Sequence, residues 1–80
     1  MMKEEISVII MSTIPNFKSS FICKKSDKFE VLIQKLYLKE PELKNKSGYF
    51  LHCGELIDVE KTIKDNKIEN NGMILYNVQV

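Results

Sequence analysis

Eighty residues with 44% hydrophobic content describe one small domain, residues 1–80, which buries roughly 60% of its unfolded surface. All 12 basic residues are lysines against 11 acidic ones, for a net charge of +1. Weak long-range attraction and the lack of an arginine fork argue against a nucleic-acid partner. No apolar run approaches the ~18 residues of a membrane span, and "MMKEEISVIIMS" lacks a signal-peptide cleavage site. The expected location is therefore intracellular, cytoplasmic or nuclear, with no membrane partner. In that setting Cys23 and Cys53 are expected as reduced thiols, although a bridge between them is possible on paper.

The first element, "EISVIIM", is β-branched, and strand alternation puts Ile6, Val8 and Ile10 on one face. Pro15 and Asn16 signal a turn, and "SSFICK" returns as a second strand with Phe21 and Cys23 on one side. The period then changes. Phe29, Leu32, Ile33 and Leu36 fall on one helical face, which predicts a helix over about residues 27–39. Asp27 with Glu30 has the spacing of a capping box, and Pro41 ends the helix near Leu38 or Lys39. "EPELKNKSG" reads as a polar connection, "YFLHC" as a third strand, Gly54 as a turn and "ELI" as a short fourth strand. "DVEKTIKDNKI" is mostly irregular, with a helical turn near residues 63–66. After the "ENNG" turn cluster, "MILYNVQV" is the last strand, with Ile74, Tyr76, Val78 and Val80 opposite Met73, Leu75, Asn77 and Gln79. The predicted class is α+β: a mixed four- to five-stranded sheet packed on one helix, with the first and last strands parallel in the middle. This is a β-grasp layout.

Catalytic constellations are sparse. His52 and Cys53 are adjacent on a predicted strand, so alternation is expected to send their side chains to opposite faces. Zinc wants about four ligands, and the chain has one histidine and two cysteines. The acidic residues stand singly, and Gly48, Gly54 and Gly72 form no phosphate loop. We therefore expect no catalytic residue, no metal and no cofactor.

"SDKFEVLIQKL" and "FLHCGELIDVEKTIKDNKIENNGMILYNV" together resemble the ubiquitin-like family. In the second stretch Gly54, Ile57, Asp58, Thr62, Ile63, Asp65 and Ile68 stand where that family has its turn glycine, buried aliphatics and turn-forming polar residues. The resemblance spans about residues 5–80. It is closest from Phe50 onward and loosest in the first hairpin. It implies a core of Phe21, Cys23, Phe29, Leu32, Leu36, Phe50, Ile57, Ile63, Ile68, Ile74, Tyr76 and Val78. Thr62 and Asp65 are expected to bond backbone amides in a small turn.

The same resemblance implies a docking patch for proteins on the outward sheet face. Leu51, Leu75, Tyr49, Asn77 and Met73 are its expected members, with Leu51 in place of a central isoleucine and Leu75 in place of a histidine. Asn77 replaces an apolar member, so a third apolar contact is expected from Ile14 or Phe17. The bland alternative is scattered surface hydrophobes. Lysines that anchor chains in the family are matched by Glu55 and Asn70. The family's modifiers end in Gly-Gly, and the given sequence ends at Val80. The first expectation is thus a non-catalytic, monomeric ubiquitin-like interaction domain. It would be a module of a larger protein or an adaptor subunit, meeting ubiquitin-type receptors or a complex partner. A modifier whose Gly-Gly tail is missing from the given sequence is the second. A thiol-dependent enzyme or redox protein using Cys53 is the third.

Overall fold

The computed structural model describes residues 5–13 and 16–78. Its elements are strand β1 (Glu5–Thr13), strand β2 (Asn16–Lys24), helix α1 (Phe29–Lys39), a 3-10 turn (Pro41–Asn45), β3 (Gly48–His52), β4 (Glu55–Leu56) and β5 (Gly72–Val78). The sheet order is β2-β1-β5-β3-β4. β1 and β5 run parallel in the middle, while β2, β3 and β4 each pair antiparallel with their neighbours. With α1 packed on one face, this is an α+β, β-grasp-like arrangement.

Alternation along the strands builds the inner face. β1 buries Ile6, Val8, Ile10 and Ser12, β2 buries Phe21 and Cys23, and β5 buries Ile74 and Tyr76. The helix answers with Phe29, Leu32 and Leu36, all fully buried. Each such side chain contributes roughly 1.5–3 kcal/mol through burial. Phe50 lies at the centre: it stacks on Tyr76 at 4.4 Å between centroids and meets Phe29 edge-on at 5.2 Å. Eleven of the twelve expected core residues are buried, and Val78 is half-buried against their cluster. The Ser12 hydroxyl is buried and has no hydrogen-bond partner among the described residues.

Three local details depart from expectation. The helix does not use the Asp27–Glu30 box; it begins at Phe29 after Lys28, with no side-chain cap. Asp27 instead closes the preceding turn. Its amide donates to the Lys24 carbonyl at 3.0 Å and its carboxylate accepts from the Lys24 amide at 2.9 Å. Backbone then does the capping, since the Phe29 amide donates to the Lys61 carbonyl, and the Ile63 amide ties the same segment back to the Asp27 carbonyl. Second, "EPELKNKSG" is not wholly polar in role: its 3-10 turn plugs fully buried Leu43 into the core. Third, "YFLHC" ends one residue early as a strand. Cys53 has φ 52° and Gly54 φ 81°, and His52 pairs with Glu55 across them. This is a two-residue hairpin loop with both residues left-handed, as the right-handed twist of the flanking strands favours.

Candidate protein-interaction surface

The outward face of the sheet carries a second apolar set, ordered by register. Met11 on β1 pairs with Leu75 on β5, Leu75 pairs with Leu51 on β3, and Leu51 pairs with Leu56 on β4. One transverse row of four apolar side chains therefore crosses four strands. Beside it Ile9 pairs with Met73, and Tyr49 pairs with Asn77. Leu56 is 70% exposed, Met73 48%, and Leu75 and Tyr49 37% each. Ile9, Met11 and Leu51 are half-buried by their neighbours. Partners in register sit about 4.5–5.5 Å apart at Cβ, so these side chains form one patch.

All five expected patch residues lie together on this face. Asn77 is held there: its side-chain amide donates to the Tyr49 hydroxyl at 2.9 Å, which lowers the cost of a polar group inside an apolar patch. Phe17 is not the third apolar member. It pairs with Ser12 on the inner side and packs against the core, because its position in the β2 alternation matches Phe21 and Cys23. Ile14 lies outside the described residues. The missing apolar area comes instead from Ile9, Met11 and Leu56. The first two were legible in the β1 alternation, as the odd positions opposite Ile6, Val8 and Ile10. Leu56 carries no such signal, because a two-residue strand has no period. On the β1–β2 side the face dips into a hollow of about 350 Å³ lined by Ser7, Ile9, Lys18, Ser19, Ser20 and Asn71.

The β3–β4 turn corrects the expected separation of His52 from Cys53. Strand alternation does not apply, because Cys53 is the first residue of the left-handed turn. Its Sγ lies 3.8 Å from His52 Nε2. His52 is half-buried on the inner row of β3, opposite Ile74, and Cys53 is exposed. Cys23 behaves differently. Burial pushes its thiol pKa above the usual range, Asp27 adds to the rise and Lys35 opposes it, which fits a small buried apolar residue.

Behind the turn, residues 58–68 fold back under the sheet. Thr62 Oγ1 accepts from the Asp65 amide at 2.9 Å, as expected of Thr62, while Asp65 joins the turn through its backbone amide rather than its carboxylate. The larger organiser is Asn66, which was not singled out from the sequence. Its side-chain Oδ1 accepts from the Asp58 backbone amide at 3.0 Å, and its side-chain Nδ2 donates to the Asp58 and Thr62 backbone carbonyls at 2.9 and 3.0 Å. These bonds set Ile63 and Ile68 into the core. Among the described residues, no group of three or more His, Cys, Asp or Glu side chains is placed to hold a metal ion. No helix there is long and apolar enough to cross a membrane. No protein-family model matches this chain, and a search of curated proteins finds no match.

Proposed function

We propose that this chain is a non-catalytic, ubiquitin-like interaction domain that docks partner proteins through the outward sheet face. Leu51 and Leu75 are the centre of the patch, with Tyr49, Met73 and Asn77 around them. The observation that carries this reading is the register row Met11–Leu75–Leu51–Leu56. A sheet needs only one apolar face to fold, and its solvent face is ordinarily polar. Scattered hydrophobes would not fall into consecutive register positions across four strands. Apolar and aromatic side chains with a held amide at the margin match the anatomy of an interface core and rim. The resemblance to the ubiquitin-like family in the helix and from Phe50 onward supports this reading, because members of that family dock partners through the matching sheet face. On this reading the domain serves a ubiquitin-related pathway inside the cell, as a module or an adaptor.

The test is an NMR titration of the labelled chain with ubiquitin-receptor domains. The reading expects saturable shifts at Tyr49, Leu51, Met73 and Leu75. Shifts that leave these four residues untouched overturn it.

A further inference from the structure

We infer that His52 and Cys53 form half of a tetrahedral site for a thiophilic divalent cation, Zn²⁺ above all, and that a second copy of this chain supplies the other half. The inference does not depend on the docking role of the sheet face. It rests first on distance. A thiolate at about 2.3 Å and an imidazole nitrogen at about 2.0–2.1 Å from one tetrahedral Zn²⁺ lie about 3.6 Å apart. Cys53 Sγ and His52 Nε2 are already 3.8 Å apart, so both atoms reach one metal with a small adjustment.

The turn explains how adjacent residues manage this. In a regular strand they point to opposite faces. At φ 52° Cys53 leaves the strand path, and its thiol turns back toward the imidazole. A left-handed non-glycine residue is uncommon, and Asn or Gly is the usual residue at this point of such a turn. Here the position carries a metal-ligating side chain instead.

Stoichiometry and exposure identify the occupant. Each chain offers one nitrogen and one sulfur, and among the described residues no further His, Cys, Asp or Glu completes a group with them. Two copies give the Cys₂His₂ set that closes a structural zinc site. Two thiolates neutralise the charge of the cation. The pair sits at the tip of a hairpin, where Cys53, Gly54, Glu55 and Leu56 are all exposed. A second tip can therefore approach on a twofold axis with its own Leu56 beside it, giving the isologous contact of a cyclic dimer.

The experiment is a titration of the reduced 80-residue chain with Zn²⁺ and with Co²⁺, followed by absorbance and by light scattering after size exclusion. The account expects saturation at half an equivalent of metal per chain, a doubled mass that a chelator reverses, and a Co²⁺ spectrum with thiolate charge transfer and intense tetrahedral bands. Cys53→Asn removes the ligand while suiting the left-handed turn, so it should fold, stay monomeric and lose the spectrum. Saturation at one metal per chain, a weak octahedral Co²⁺ spectrum, an unchanged mass, or dimerisation retained by Cys53→Asn would each overturn it.

Discussion

The two faces of the sheet are made by the same strands, yet they answer to different demands. On the inner face, Val8, Ile10, Phe50, Ile74 and Tyr76 meet Phe29, Leu32 and Leu36 and lose nearly all contact with water. On the outer face, Met11, Leu75, Leu51 and Leu56 form an equally continuous apolar row that the described residues leave half-buried to exposed. Stability accounts for the first set. The second adds little to stability while it remains solvated, and so points toward a partner. Substitutions that separate stability from binding therefore break or sharpen this contrast.

The largest effect is expected from Phe50→Ala, which removes the ring between Phe29 and Tyr76. A loss of about 3–5 kcal/mol leaves a domain of this size largely unfolded, and urea denaturation followed by circular dichroism measures it. Gly48→Ala comes next. A Cβ there meets the Asn77 carbonyl oxygen and the Tyr76 ring at 2.7 Å, and the cost should be about 1–3 kcal/mol. Asn66→Ala should cost a comparable ~1–3 kcal/mol, because it removes three side-chain hydrogen bonds and leaves the Asp58 amide without its acceptor, while the Asp58 and Thr62 carbonyls keep the Lys61 and Asn66 backbone amides. Hydrogen exchange should then rise in residues 58–68 before it rises in the strands.

The uneven legibility of the sequence has physical causes. Alternation in β1, β2 and β5 and the helical period of Phe29, Leu32 and Leu36 are local signals. They yield the layers, the strand pairing and nearly all of the core. Leu43 escaped because a single apolar residue in a polar 3-10 turn has no period to reveal it. Asn66 escaped because its three bonds reach back four and eight residues. Asp27 had the right spacing for a cap, but a turn closer by used its carboxylate. The five outer-face residues were legible from alternation and from resemblance together. Phe17 was misplaced because the hairpin register, not the loop, decides its face. His52 and Cys53 were misread because left-handed φ at a non-glycine residue leaves no mark in composition or period.

A smaller effect should appear with pH and only on the inner face. Burial raises the Cys23 thiol, and burial together with Tyr37 raises the Tyr76 phenol. A raised folded-state pKa gives stability that is present in full below the unfolded value and is lost as pH climbs through the folded one. Stability should thus hold below about pH 8.5 and decline above it, with tyrosine adding to the fall above about pH 10. Thermal melts across this range check the slope, and Cys23→Ala should flatten its first part.

The smallest stability effect is expected from Leu51→Lys and Leu75→Lys, about 0.5–1 kcal/mol each, since both side chains retain contact with water. These variants also bear most directly on the claim that the outer face is a docking site. For a ubiquitin-receptor domain that binds the wild-type chain, calorimetry on Leu51→Lys should show affinity lowered by about 2 kcal/mol or more, as for the centre of an interface, with the melting curve nearly unchanged. Wild-type affinity in folded Leu51→Lys would contradict the account.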